Sequence, residues 1–407
     1  MEAYATLIAG LLALLAGLTI GKAWERYKLQ DGRWIDRRRT RESPHYILGL
    51  NFLVANQIDQ AIDELTKASE VAGDPLEIRL ILGNLYREKG HVGRAIQEHQ
   101  GLLQRPNLRK LEHASVLLCL GLDYKRGGFV DRAVEAFNEV VRLDPGNSYA
   151  LTNLEKLHEE QHQWADAYAM RQKLAAESPP EDQARHQAIL AFLENELGLQ
   201  SLKRMDYGPA ARHFDAAIDL DPSNPPAHLN LGDVQFLQGD VASAVATWER
   251  LVERAPERSY LAFSRLESAY PKLGDEHRFA TLCRKLITDN PQDWRARLAL
   301  ARFLSSQGQP QDALSLLLDA LVQNPHALAL HQAIWQILLL LQFPAALVAH
   351  YIDLTRDAVF YLDPHICVRC RYRSTELLWQ CPQCHEWNTF IEERIAPAKD
   401  SEATLTS

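Results

Sequence analysis

Four of the six cysteines lie near the carboxyl terminus in two Cys-x-x-Cys pairs, which are separated by ten residues. The pairs are Cys367 with Cys370 and Cys381 with Cys384. Four thiolates at this spacing can close a tetrahedron around one metal ion, Fe or Zn, and the spacing does not separate the two metals. The other two, Cys119 and Cys283, lie singly in helical patterns and are predicted to be small core residues. This usage is typical of a metal site in a reducing compartment, not of a disulfide framework.

Residues 358–394, which contain both pairs, are predicted to form a small metal-binding domain. Apolar side chains around the cysteines are expected to form its miniature core, since a domain of this size needs the metal as a staple. These side chains are Tyr372, Leu377, Leu378, Trp379, Trp387 and Phe390. The pattern resembles a rubredoxin-type ribbon. It departs from that ribbon at Arg371 and His385, where a glycine with positive φ usually follows the second cysteine of each pair.

The middle of the chain repeats a helical hairpin with a period close to 34 residues. The clearest copy is predicted to have helices from Leu229 to Leu237 and from Val241 to Glu253, with a tight turn at Gly239. Small residues at Gly232 and Ala244 are expected where the two helices cross, so that their backbones can approach closely. The counterparts of Gly232 are Gly49, Gly83, Gly121, Glu155, Gly198, Glu267, Ala301 and Trp335.

This frame resembles the tetratricopeptide repeat, whose period and Leu-Gly-x-x-Tyr pattern it follows. The resemblance implies an all-α superhelical solenoid of about nine units over residues 43–357. The prolines in residues 177–182 forbid a continuous helix and predict a bend or joint there. Such an array presents an extended concave surface, which typically holds a segment of another protein.

The array offers little that could do chemistry. No P-loop or Gly-x-Ser-x-Gly motif is present. His158 and His162 lie four residues apart on a predicted helix and could together bind a metal, but no third ligand is evident. We therefore predict a binding protein and not an enzyme.

The amino terminus is predicted to be a membrane anchor formed by residues 1–21. The nineteen residues from Ala3 to Gly21 carry no charge, and as a helix they would extend about 28 Å, close to the thickness of the hydrocarbon core. A cleaved signal peptide is the alternative, but no basic segment precedes the apolar run and no clear Ala-x-Ala cleavage site follows it. The spacing of Gly17 and Gly21 is one that lets two membrane helices pack closely, so the chain could form a homo-oligomer.

A basic juxtamembrane segment, residues 22–42, follows the apolar run. The net charge of −9 comprises +5 between Lys22 and Arg41 and −14 over the remainder of the chain. Positive charge after the span predicts a single-pass inner-membrane protein with a periplasmic amino terminus and its bulk in the cytoplasm. The same charge can meet anionic membrane lipid. The acidic remainder argues against nucleic acid as a partner, and the polar tail, residues 395–407, is predicted to be disordered.

The order of the modules, from anchor through repeats to the ribbon sequence HICVRC…LLWQCPQCHEW, resembles the lipopolysaccharide assembly protein B family of Gram-negative bacteria. The resemblance implies an inner-membrane adaptor between the membrane AAA+ protease FtsH and the lipid A deacetylase LpxC, which controls the amount of lipopolysaccharide. It also implies contacts with other lipopolysaccharide-synthesis or transport proteins, and a ribbon that packs against the array and is required for function. By the same resemblance the four clustered cysteines are the metal ligands.

Three other functions are compatible with the sequence. A scaffold for another envelope pathway would use the same anchor and array. An iron electron carrier would use the ribbon, although no flavin- or nicotinamide-binding motif accompanies it. A nucleic-acid-binding ribbon is favoured by the arginines at 369, 371 and 373 and opposed by the acidic array and the anchor.

Overall fold

The computed structural model describes residues 43–71, 75–106, 108–325, 327–358 and 365–392. The predicted anchor from Ala3 to Gly21, the basic segment 22–42 and the tail 395–407 lie outside these described residues. Within the described ranges, no helix combines the length and the apolar character that crossing a membrane requires.

Helices follow one another in nine pairs along the described array, and the contacts divide the chain between Gln161 and His162 into two compact units. The first unit contains α1 (Pro44–Val54), α2 (Ile58–Val71), α3 (Leu76–Glu88), α4 (Val92–Leu103), α5 (Lys110–Arg126), α6 (Val130–Leu143) and α7 (Ser148–Glu160). The second unit contains α8 (Trp164–Glu177), α9 (Gln183–Lys203), α10 (Tyr207–Leu220), α11 (Pro225–Leu237), α12 (Val241–Arg254), α13 (Phe263–Ala269), α14 (Arg278–Asp289), α15 (Trp294–Ser306), α16 (Pro310–Gln323), α17 (Leu328–Leu340) and α18 (Ala345–Ala358). Short 3-10 helices cover Pro180–Asp182, Pro256–Ala262 and Tyr270–Leu273.

The predicted hairpin around Gly232 is confirmed, except that its first helix begins earlier and its second helix ends one residue later, at Arg254. α11 begins at Pro225 and not at Leu229, because the Asn224 side chain accepts a hydrogen bond from the Ala227 N–H at 3.1 Å and Pro225 suits the first helical position. The helix break expected within residues 177–182 is present, since α8 ends at Glu177 and a 3-10 turn precedes α9, but the division between the two compact units falls at Gln161 and not there.

Each helix pair turns through a single residue in the left-handed region, seven positions after the small site. Gly239, with φ of 87°, has this role between α11 and α12. The residues at the nine turns are Asn56, Gly90, Gly128, His162, Met205, Gly239, Gly274, Gly308 and Gln342. All nine repeats identified in the sequence therefore have the same left-handed turn between their helices, and in four of them the turn residue is not glycine.

The small site lets a bulky side chain of the second helix lie directly on the backbone of the first. A Cβ atom built at Gly232 would lie 2.6 Å from Trp248 Cδ1, a distance that no packed structure tolerates. Ala244, the predicted second small site, has no exposed surface. The same contact, sixteen residues apart, joins Gly49 to Leu65, Gly83 to His99, Gly121 to Phe137 and Gly198 to Phe214.

A second recurring contact satisfies the carbonyl of the proline that closes a repeat. Pro222 O accepts a hydrogen bond from His228 Nε2 at 2.9 Å. The side chain six residues after the proline makes the same contact at two other sites, where Arg297 donates to Pro291 O and His331 to Pro325 O. Because a carbonyl only accepts, the His228 proton lies on Nε2, and its buried Nδ1 has no partner. Burial lowers the pKa of His228 below its ordinary value.

We expect Gly83→Ala to destabilise the first unit by about 2 kcal/mol, because the new methyl group would displace His99. His99 is fully buried and hydrogen-bonded to Asp123, which also pairs with Arg87 at 2.8 Å. Thermal unfolding of the purified chain measures the effect.

Gly101→Ala is the matched control. It lies in α4 with nothing near its Cβ position, so the substitution should raise stability by about 0.5–1 kcal/mol through helix propensity. Equal shifts in the same direction for both variants would contradict the packing account.

We expect the second unit to lose thermal stability as the pH falls from about 7 to 5.5. An unfolded histidine takes up a proton near pH 6.5, whereas folded His228 resists protonation because its pKa is lowered. The stability contributed by the neutral form is therefore present above that pH and is lost below it.

His228→Gln, which keeps a donor for the Pro222 carbonyl, should flatten this pH dependence of the unfolding midpoint. The exposed His350→Gln serves as the control. An unchanged slope for His228→Gln would show that another group controls the transition.

Candidate metal centre

The ribbon is a three-stranded antiparallel sheet with two cysteine-bearing loops. Its strands are β1 (His365–Cys367), β2 (Arg373–Ser374) and β3 (Phe390–Glu392), in the order β2-β1-β3. The first knuckle, residues 367–370, begins at the end of β1 and leads into β2. The second knuckle, residues 381–384, lies between β2 and β3.

The structure brings all four predicted sulfur atoms together. Cys367 Sγ lies 3.7 Å from Cys384 Sγ, Cys370 Sγ lies 3.5 Å from Cys381 Sγ, and all four are within 4.8 Å of one another. A tetrahedron with metal–sulfur bonds of about 2.3 Å has edges of about 3.8 Å. The donor set therefore fits one tetrahedral metal ion. All four coordination positions are taken by cysteine side chains, as is typical of structural metal sites.

Both knuckles reach the glycine-type backbone conformation without glycine. Arg371 has φ of 66° and His385 has φ of 54°. Their N–H groups donate to the carbonyls of Cys367 and Cys381, each at 2.9 Å, which closes the two turns. The departure from the rubredoxin-type sequence thus leaves the knuckle geometry intact and costs backbone strain.

The four thiols differ in electrostatic surroundings. Burial alone would raise the pKa of Cys367, but hydrogen bonds from the Thr389 hydroxyl and from neighbouring backbone N–H groups stabilise the thiolate and lower the pKa to about 6. At Cys384, burial raises the pKa to about 12. A bound cation stabilises all four thiolates together, so loading the site releases protons.

The core predicted around the metal is confirmed in part. Leu377, Leu378 and Phe390 pack with the cysteines, and Tyr372 meets Phe390 edge-on. The prediction was wrong for the two tryptophans. A ribbon of this size cannot enclose two indoles as well as the sulfur cluster, and both rings lie against the helices of the second unit instead.

The tryptophans pack on the aromatic side chain of Phe192 in α9. Trp387 stacks on Phe192 with ring centroids 5.3 Å apart, and Trp379 lies 6.2 Å from the same ring. Trp387 also meets Trp164 of α8 edge-on at 6.4 Å. These contacts place the second knuckle beside α8 and α9.

Polar contacts hold the ribbon at further points on the second unit. Arg258 donates to the Phe390 carbonyl at 3.2 Å, and Arg295 of α15 forms an ion pair with Glu392. Arg185 lies 3.6 Å from the Glu386 carboxylate. The packing of ribbon against array that the resemblance implied is therefore confirmed. No feature of the sequence indicated that Phe192 or these arginines contact the ribbon.

A second motif with metal-binding character lies at residues 158–162, which read His-Glu-Glu-Gln-His, the spacing of the zinc-protease helix. That motif requires both histidines on one helix, and the prediction that His158 and His162 share one was wrong. α7 ends at Glu160, and His162 lies beyond it in the left-handed region. Among the described residues, the metal-ligating cluster consists of the four cysteines.

Helix pairs with this repeat frame, joined to a four-cysteine ribbon, define a tetratricopeptide-repeat protein with a rubredoxin-type metal-binding domain. The family model described as "Rubredoxin metal binding domain" matches residues 365–392. Two models described as "Tetratricopeptide repeat" match residues 202–266 and 280–327.

The resemblance to lipopolysaccharide assembly protein B is confirmed over nearly the whole chain. The protein of that name from Escherichia coli (strain K12) is 25% identical over 381 residues, which cover 93% of this chain and 97% of the relative. Its counterpart from Haemophilus influenzae is 26% identical over 414 residues, which cover 96% and 99%. A tetratricopeptide repeat protein of known structure from Parabacteroides merdae is 15% identical, with 74% of this chain and 99% of that chain covered, at a TM-score of 0.35, too low to support a conclusion.

We expect Arg371→Gly to slow metal loss from the ribbon about fivefold. Glycine adopts positive φ without the strain of about 1 kcal/mol that a side chain brings, and the substitution leaves every ligand in place. The measurement is the rate at which Zn²⁺ passes from the purified chain to a chelator.

Arg369→Gly is the control for this variant. It removes the same charge at an exposed position in the same knuckle, outside the residues with positive φ. Equal rates for the two variants would mean that the left-handed conformation at residue 371 carries no cost.

Proposed function

We propose that the chain is an inner-membrane adaptor that promotes degradation of the lipid A deacetylase LpxC by the protease FtsH and so limits lipopolysaccharide synthesis. The observation that carries the proposal is the extent of the similarity. Relatives named lipopolysaccharide assembly protein B align over more than nine-tenths of this chain, through both the helical repeats and the ribbon.

The parts of the chain suit that role. A tetratricopeptide array offers an extended surface for another protein, without the need for a catalytic centre. An anchor at residues 1–21, with residues 22–42 on anionic lipid, would keep the array beside a membrane protease. Tethering makes the encounter local and raises the effective concentration of the substrate at the protease. The same surface could gather other lipopolysaccharide-synthesis or transport proteins.

The ribbon contributes a metal-stabilised module to this adaptor. Cys367, Cys370, Cys381 and Cys384 would hold one ion, Fe or Zn, which would neutralise and cross-link the four thiolates. The surrounding residues position the ligands: the Thr389 hydroxyl supports Cys367, and the turns at 371 and 385 fix the two knuckles. The bound ion would stabilise the fold of the ribbon.

The half-life of LpxC in cells tests the proposal. After protein synthesis is blocked, LpxC should persist several-fold longer in cells that lack the chain, and also in cells whose chain carries Cys381→Ser with Cys384→Ser. Cys119→Ala removes a thiol far from the cluster in sequence and should leave the half-life unchanged.

The possible results separate the parts of the proposal. An unchanged half-life in cells without the chain would overturn the adaptor function. A longer half-life in those cells, with a normal one for the double cysteine variant, would place the function in the array alone. Removal of residues 3–21 should also lengthen the half-life, and a normal half-life there would exclude tethering.

A further inference from the structure

The second metal-binding knuckle is the turn of a short hairpin that carries both tryptophans. The arms of the hairpin pair through Gln380 and Trp387, and the Asn388 N–H donates to the Trp379 carbonyl at 2.6 Å. At its tip the Cys381 N–H donates to the Glu386 carbonyl at 3.0 Å. Metal ligands therefore fix the turn from which the two indoles project.

The surface that receives these indoles is built into the array and is almost fully covered. Phe192 of α9 is 3% exposed, and Trp164 of α8, which is 8% exposed, belongs to an apolar cluster formed by α8 and α9. The other members are Ala167, Tyr168, Ile189, Leu193 and Leu197. Trp387 is the ribbon side chain that packs on this cluster, so a ribbon that moved away would leave two large aromatic side chains in solvent.

The ribbon has little else to hold it folded. Its fully buried core is Cys367, Cys381 and Phe390, and two of these three are candidate ligands. Domains of this kind fold only with their metal. The hairpin geometry that presents the tryptophans thus depends on the ion, and the contact with Phe192 depends on the hairpin.

The first knuckle is linked to the array as well. Cys367 pairs with Phe390 across β1 and β3, and the Phe390 carbonyl accepts from Arg258. Two residue pairs further out, Glu392 of β3 meets Arg295 of α15. Both halves of the sulfur cluster are therefore continuous with contacts on the second unit.

We propose that the ribbon is a metal-dependent latch on the second unit: the ion holds Trp379 and Trp387 on Phe192, and its loss releases the ribbon and uncovers the aromatic surface of α8 and α9. By thermodynamic linkage, the array in turn tightens metal binding by the same factor.

The test measures the affinity of the purified full chain for Zn²⁺ by competition with a chromophoric chelator. Phe192→Ala should weaken Zn²⁺ binding about tenfold, although no ligand is changed, because the aromatic contacts exist only in the docked ribbon. Phe236→Ala is the control, since that ring packs on Trp248 in another helix pair of the same unit. Equal affinities for the two variants would overturn the coupling.

Hydrogen exchange tests the converse. Removal of the metal from the wild-type chain should speed exchange in α8 and α9 around Trp164 and Phe192. Exchange in the first unit, residues 43–161, should stay unchanged and serves as the internal reference. Unchanged exchange in α8 and α9 after metal removal would show that the ribbon stays docked without its ion and would overturn the latch.

Reversing the charges of the ion pair between Glu392 and Arg295 gives a second test of the coupling, which does not depend on whether Phe192→Ala disturbs α9. Glu392→Arg should weaken Zn²⁺ binding through repulsion of Arg295, and the added Arg295→Glu should recover at least part of the affinity. A double variant that binds Zn²⁺ no better than Glu392→Arg alone would show that this ion pair does not couple the ribbon to the array.

Discussion

In five of the nine helix pairs of the described array, the two helices make a close contact that an absent side chain makes possible. At five small sites a glycine on the first helix lies under a bulky residue sixteen positions later. One such pair leaves an apolar face uncovered, so it is stable only beside its neighbours. The second unit shows the result, because the aromatic rings of Trp248, Phe263, Phe279 and Phe303 belong to one cluster that crosses several helix pairs.

The ribbon differs from the array because it has too few residues to bury all of its own apolar side chains. These side chains are therefore buried in two places. The small apolar groups and Phe390 surround the sulfur atoms, and the two indoles are covered by α8 and α9. Each tryptophan adjoins the second knuckle, so the same short hairpin serves the metal and the array.

The sequence predicted the repeated features better than the individual ones. Nine copies of one frame located every helix pair. Four of the turns could not be recognised from their residue type, because the left-handed position is not a glycine there; these residues are Asn56, His162, Met205 and Gln342. The four cysteines were predictable because metal ligation demands a fixed residue type and spacing. The partner of Trp387 was not, since an aromatic residue indicates burial without indicating what buries it. Phe192 lies nearly two hundred residues away and follows the ordinary pattern of a helix.

The relative size of the energies explains why the ion, and not the contacts with the array, folds the ribbon. Aromatic contacts with Phe192 contribute about 1 kcal/mol apiece, and exposed ion pairs such as Arg185 with Glu386 contribute less. Structural zinc sites contribute about 10–16 kcal/mol. The contacts with the array are therefore too weak to fold the ribbon, yet strong enough to position it once the metal has folded it.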